Sequence, residues 1–214
     1  MDNNEKAKDV RGPRNVLDKA WDDLLHIDML QLSRTAGADK VDEGSCSIRF
    51  FATPYQVDRA KRVVSRIDGE RPVHRFIAAL ILHYLIGAKD TEPTGKMLTF
   101  RELPGGEVYY DAFYRRAIQP LAADIGPRPQ LLLERAKRVG GERMDFGDAS
   151  VRIAVFPRIP VVVVAWMGDE EVPSSANMLF DSTASAHLHT EDLAAIGDLV
   201  ADSLVLSDEE WRGW

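Results

Sequence analysis

The sequence has 214 residues and a formal net charge of −7, with 45% hydrophobic and 29% charged side chains, the balance of a globular, water-soluble chain. The negative charge excludes a general binder of nucleic acid or anionic membrane, which needs a basic face, and no run of about 18 apolar residues is present to span a membrane. The single cysteine, Cys46, excludes an internal disulfide and falls short of the thiolates an iron–sulfur cluster needs; the expected setting is a reducing cytoplasm, with Cys46 as a buried thiol.

Residues 1–14 are polar and of mixed charge, which predicts a flexible tail, and 207–214 form a second tail around one domain at 15–206. Asn15 is placed to cap a helix whose face is Val16, Leu17, Ala20, Trp21, Leu24 and Leu25. Asp28 caps a shorter helix with Met29, Leu32 and Ala36 inward, ended by Gly37. Ser47 to Phe51 is a strand. Residues 55–67 fit both periods, because Tyr55 and Val57 alternate while Val57, Ala60, Val64 and Ile67 keep helical spacing; a strand pair is the preferred reading. Pro72 opens a helix that is apolar nearly all round from Phe76 to Leu85, the mark of a core helix, and Gly87 stops it.

Further on, Tyr110, Phe113, Tyr114, Ala117, Ile118 and Leu121 share a helical face that Pro120 kinks or restarts. Pro127 and Pro129 open a helix closed by Gly140-Gly141. Val151, Ile153 and Val155 alternate as a half-buried strand, Pro157 to Pro160 turns the chain, and Val161 to Trp166 is a central strand. Pro173 to Phe180 reads as a short helix or a turn. Thr190 caps the last helix, with Leu193, Ile196, Val200 and Leu204 inward. The irregular order of helices and strands predicts an α+β fold, helix-rich, with a small and mainly antiparallel sheet. Its core is expected to bury Phe76, Leu80, Ile81, Val162, Val164, Phe180 and Ile196.

The stretch from Leu98 to Tyr110 concentrates candidate chemistry. Arg101 and Glu102 precede Pro104-Gly105-Gly106, and Tyr110 lies in the helix that follows. A Gly-Gly turn at a helix entrance is either an anion site built from free N–H groups or a tight turn that only redirects the chain. Asp169 and Glu170 follow the central strand, where carboxylates serve acid–base work, pair with Arg101, or simply end a strand in solvent. The expectation is one concave site shared by the two groups. His83, on the core helix, is a histidine bonded to a backbone carbonyl or an axial ligand to a haem or corrinoid. His187 and His189 lack a third ligand, so no metal site is assigned. Asp181 caps a turn or pairs with an arginine. No P-loop, GxSxG, HExxH or CxxC motif is present.

Several of these segments, in order, carry a family likeness: Ile81-Leu-His-Tyr-Leu85, Phe100-Arg-Glu-Leu-Pro-Gly-Gly106 with Tyr110 and Phe113, Gly147-Asp-Ala-Ser-Val151, Trp166 to Pro173, Ala176 to Asp181, and Glu191-Asp-Leu193. The chain resembles the prokaryotic family called domain of unknown function 3786, over nearly all its length after the first helix. That family has no established activity or catalytic residues, and its members often carry a corrinoid-protein-type iron–sulfur domain. With Cys46 alone this sequence departs from that arrangement, so any cluster belongs to a separate partner. The expected function is an accessory ligand-binding domain: the resemblance implies a setting in corrinoid or iron–sulfur metabolism in anaerobes, the Arg101-Glu102/Gly105-Gly106 stretch and the acidic turn after the central strand supply the pocket, and His83 admits a corrinoid or other tetrapyrrole as ligand. The alternatives are an enzyme using Glu102, Asp169 or Glu170, and a docking module for an iron–sulfur or corrinoid protein.

Overall fold

The computed structural model describes residues 16–69, 73–207 and 209–210. The expected N-terminal tail, the Asn15 cap, Pro72 and most of the C-terminal tail lie outside them. Helix α1 (Val16–Leu24) turns Ala20, Trp21 and Leu24 inward. A 3-10 turn at Met29–Gln31 runs into α2 (Leu32–Thr35), and the Asp28 carboxylate accepts from the Leu30 N–H at 3.1 Å.

Strands β1 (Ser45–Phe50), β2 (Thr53–Asp58) and β3 (Val63–Arg66) form an antiparallel sheet in that order. In residues 55–67 the two-residue period therefore prevails over the helical one, and Tyr55 and Val57 are both fully buried. The β1–β2 turn holds Phe51 at φ +52°, a costly conformation for a bulky residue. Its N–H donates to the Val155 carbonyl at 2.8 Å and its ring is buried, so docking onto the second sheet offsets the strain.

Helix α3 (Arg75–Gly87) is the core helix and buries Leu80 and Ile81. The Tyr84 hydroxyl donates to the Ala36 carbonyl at 2.8 Å, and its ring stacks on Phe156 at 4.1 Å. Phe76 is the exception to the expected core, at 46% exposed. It sits in the first turn of α3, beside a shallow apolar groove between α1 and α3 that no described element covers.

The second sheet contains β4 (Met97–Thr99), β5 (Glu142–Met144), β6 (Ala149–Phe156), β7 (Ile159–Trp166) and β8 (Ser175–Asp181), ordered β4-β8-β7-β6-β5 and antiparallel throughout. β7 is central, and Ile159 to Ala165 are all buried, as a strand covered on both faces requires. Residues 173–180, expected as a short helix or turn, instead contribute β8. Buried Ala176, Met178 and Phe180 alternate there with half-buried Asn177 and Leu179, a period of two that the Pro-Ser-Ser start obscured. The β6–β7 turn is tighter than expected, being only Pro157-Arg158. Pro160 lies within β7 opposite Ala154, where the register shifts; a bulge tolerates its missing N–H.

Helix α4 (Gly106–Phe113), a π-helical turn at Tyr114–Ile118 and α5 (Gln119–Asp124) run on without a break. The wide π turn rotates the buried face. Phe113, Ala117, Ile118 and Leu121 go inward, whereas Tyr114, expected on that face, is 43% exposed. Pro120 falls in the first turn of α5, where its missing N–H is tolerated. Helix α6 (Gln130–Ala136) packs on β6, and α5 packs on β8. The chain closes with α7 (Ala184–His187) and α8 (Thr190–Val205).

α8 is anchored at its last turn and at its middle. The guanidinium groups of Arg135 and Arg138 satisfy the carbonyls of its last turn, Arg135 bonding Leu204 and Val205 at 2.8 Å and Arg138 bonding Ser203 at 2.7 Å. At mid-helix, Phe113 lies against Gly197, where a Cβ would sit 2.3 Å from its ring. The buried residues of both sheets and the helices form one continuous cluster.

Candidate functional site

Arg101, Glu102, Gly105, Gly106 and Tyr110 do meet, in the corner between β4 and α4, but Glu102, Gly106 and Arg101 are engaged by Thr99, Leu103 and Glu107 of the same corner. Thr99 donates its N–H and its hydroxyl to Glu102 Oε2, at 2.7 and 2.8 Å, closing a capping box. The Gly106 N–H donates to the Leu103 carbonyl at 2.8 Å. Gly105 takes φ +76°, and a Cβ on Gly106 would lie 1.9 Å from the Phe100 carbonyl oxygen. Both glycines are thus required by the turn itself. Arg101 lies 3.9 Å over the Tyr110 ring and 3.5 Å from Glu107.

Asp169 and Glu170 stand apart from this corner in their bonding. Asp169 accepts the N–H groups of Glu171 and Val172 at 2.9 and 2.8 Å, within the turn after β7, and Glu170 is exposed. Among the described residues no hydrogen bond or ion pair joins either carboxylate to Arg101, whose acidic neighbour is Glu107. Backbone donors, Thr99 for Glu102 and Val172 for Asp169, hold both carboxyls below their ordinary range. Groups held ionised in this way are poorly matched to proton transfer near neutral pH.

The corner instead buttresses the start of α8. The Thr190 hydroxyl donates to the Pro104 carbonyl, and the Tyr109 hydroxyl donates to Glu191 Oε1 at 2.5 Å. Thr190, expected as the cap, is the first residue of the helix; His189 is the cap residue and makes no side-chain capping bond. On the other side of this helix start, α1, α3 and α7 complete a cleft of about 560 Å³, within the range of small-molecule sites.

His83 projects from α3 into this cleft and remains 31% exposed. Its Nδ1 lies 3.0 and 3.1 Å from the two carboxylate oxygens of Asp192, in the first turn of α8. It is therefore bonded to a carboxylate rather than to the backbone carbonyl expected of a core histidine. The hydrogen bond to Asp192 holds the imidazolium above its ordinary value, against the opposing cost of burial. With Nδ1 donating to Asp192, Nε2 is left over, and no described group bonds it. Lys19 of α1 and Lys89 after α3 add positive charge, Asp23 of α1 and Glu191 of α8 add negative charge, and Val16, Ala20, Ile86 and Leu188 supply an apolar lining.

His187 belongs to the wall of the cleft. It is buried, and its Nδ1 accepts the Lys89 N–H at 3.2 Å. Burial pushes its basicity down, with the nearby Arg158 charge acting in the same direction, so this ring is neutral. Its carbonyl approaches α3 so closely that a Cβ on Gly87 would lie 2.3 Å from it, which explains the glycine that ends α3. Among the described residues no three His, Cys, Asp or Glu side chains converge as a metal site.

Asp181 is fully buried. Burial raises its carboxyl, but the donors of Thr183, Thr94 and Gly95 outweigh that and leave it below the ordinary range. It caps a turn, one of its two expected roles. Cys46 is fully buried, and desolvation pushes its thiol up to about 12, the behaviour of an inert core group.

The family model described as "Domain of unknown function (DUF3786)" matches residues 28–203. The chain belongs to the DUF3786 family. No curated protein and no solved structure matches it. The DUF3786 match takes in α3, α7 and the start of α8, which carry His83, His187 and Asp192, while α1, the fourth wall of the cleft, precedes it. No described helix is long and apolar enough to cross a membrane. Asp192 had no signal of its own in the sequence. It reads there as a helix-start acid favourable to the dipole, and the 109 residues separating it from His83 hide the pair from any local pattern.

Proposed function

We propose that this chain is a small-molecule-binding domain whose ligand occupies the cleft between α1, α3, α7 and the start of α8, with His83 as its polar anchor. The observation that carries the reading is the His83–Asp192 pair: one ring nitrogen is fixed by a carboxylate, and the other has no described partner, on a ring that lines the concavity of about 560 Å³. Glu191 is engaged by Tyr109 and Asp192 by His83, and Asp23 is the third carboxylate of the lining; among the described residues none of them lies within ion-pair distance of Lys19 or Lys89. The favoured ligand is an apolar molecule carrying an acidic group, its body against Ile86 and Leu188 and its charge met by His83 and the lysines.

A second reading rests on the same pair. A histidine whose Nδ1–H is held by a carboxylate is arranged as metal-ligating histidines are, so Nε2 also suits the metal of a corrinoid or other tetrapyrrole, in keeping with the family resemblance. A bound tetrapyrrole supplies the redox or group-transfer chemistry; the protein's part is to orient Nε2 and keep water from the apolar wall. An iron–sulfur or corrinoid protein is the partner this reading implies, and acid–base chemistry, if present, falls to His83 rather than to Glu102, Asp169 or Glu170.

The test uses defined probes: octanoate and benzoate by thermal-shift titration, and hydroxocobalamin and haemin by visible absorption, each with wild type and His83→Ala. A saturable effect in wild type that His83→Ala abolishes is expected from one class. No effect from any probe, or an effect that survives the substitution unchanged, overturns the reading.

A further inference from the structure

A second feature lies at the end of the five-stranded sheet where β7 finishes, and the cleft does not use it. Trp166, the last residue of β7, is 40% exposed, and Met167, Val172 and Phe146 around it are more exposed still. Large apolar groups gathered in this way mark interaction surfaces more often than isolated ones do.

The cluster is held in place rather than loosely displayed. Asp148 accepts the Met167 N–H at 2.7 Å, and its own N–H donates to the Ala165 carbonyl at 3.0 Å. Gly147 takes φ +57°, and a Cβ on it would lie 2.8 Å from the Ala165 carbonyl oxygen and 3.1 Å from the Trp166 indole nitrogen. Only a glycine lets the 145–148 turn close against the indole. On the other flank, Asp169 ties the 169–172 turn through the N–H groups of Glu171 and Val172. An exposed tryptophan fixed between two ordered turns costs little further entropy when it is buried by a partner.

The rim is acidic. Asp145, Glu170 and Glu171 are exposed around the apolar centre, and the neighbouring base is Arg143, 3.9 Å from Asp145. That charge bars nucleic acid and anionic lipid, and it sets this face against itself in a second copy. It complements a protein segment that presents lysine or arginine beside an apolar face.

We propose that the end of β7, with Trp166 at its centre and Asp145, Glu170 and Glu171 at its rim, is a docking surface for a basic, apolar segment of a partner protein. Trp166 is the anchor against which the apolar face of that segment packs, and the carboxylates select for positive charge. This surface is separate from the His83 cleft, so either can fail without the other.

The probe is a fluorescently labelled amphipathic peptide of about 16 residues built from Lys and Leu, titrated with the full chain by anisotropy. Its counterpart with Glu in place of Lys is the control. Saturable binding of the Lys peptide alone is expected, weakened at least about tenfold by Trp166→Ser and by Glu170→Lys/Glu171→Lys. Met167→Ser, away from the Gly147 contact, carries the same expectation if Trp166→Ser fails to fold. Unchanged affinity in the apolar variants means the peptide is held by net charge alone and overturns the proposal. Equal binding of the Glu peptide or no saturable binding does so too, as does self-association in sedimentation that Trp166→Ser abolishes.

Discussion

The Gly-Gly corner and the His83 cleft lie on two sides of the same helix start and use their polar groups in opposite ways. In the corner, Glu102 is consumed by Thr99, Gly106 by Leu103, and Arg101 by Tyr110 and Glu107. In the cleft, Asp192 fixes one nitrogen of His83 and leaves the other free of described partners. A cluster of charged and glycine residues in sequence is therefore no guide to a binding site by itself. What distinguishes a site is hydrogen-bonding capacity left unspent beside a concavity, and that can be counted only once the chain is folded.

Perturbing each region separately tests this contrast. Leu80→Ala, on the core helix one turn before His83, should cost about 2–5 kcal/mol in urea denaturation; a change under about 1 kcal/mol would mean that α3 is not the core helix. Gly106→Ala should come next, at about 2–4 kcal/mol, because its Cβ meets backbone rather than a yielding side chain. Near-parent stability for Gly106→Ala would show the corner to be pliable and would return it to candidacy as a ligand site.

The two histidines should then separate by pH. Asp192 raises His83 above the ordinary value of about 6.5. Its stabilisation is therefore complete below about pH 6.5 and is lost as pH rises through the raised value. Burial lowers His187, so its contribution is complete above about pH 6.5 and is lost as pH falls through the depressed value. Urea denaturation between about pH 5 and about pH 9 reads both signs. The gap between wild type and His83→Gln should narrow with rising pH, and that between wild type and His187→Gln with falling pH. Parallel curves for His83→Gln would dissolve the His83–Asp192 pair as an electrostatic unit.

The smallest effect is expected from Tyr109→Phe, which cuts one exposed tie between the corner and Glu191. Stability should change less than in Gly106→Ala. Any probe that binds the cleft should then bind Tyr109→Phe with altered affinity, since Glu191, part of the lining, loses its hydroxyl partner. Unaltered affinity would separate the corner from the site altogether.

Periodicity alone determined the elements with long, consistent patterns. The apolar run of α3, the alternation in β6, the unbroken valines of β7 and the inner stripe of α8 each bury one face or all faces, and a face is a local property of the chain. Local pattern failed where a turn-like start hid the period or where a neighbour decided burial: Pro173-Ser-Ser disguised β8, Phe76 lost its cover at the edge of α1, and Tyr114 was turned outward by a π-helical turn. Of the site, the sequence offered His83 as a candidate; its carboxylate partner and its cleft belonged to tertiary structure. His83 and Asp192 are 109 residues apart, on helices that meet only because α7 and Gly87 bring their ends together. Asp192 is an unremarked helix-start acid until the fold places it beside an imidazole, because hydrogen-bond partners are set by distance in space and the sequence records distance along the chain.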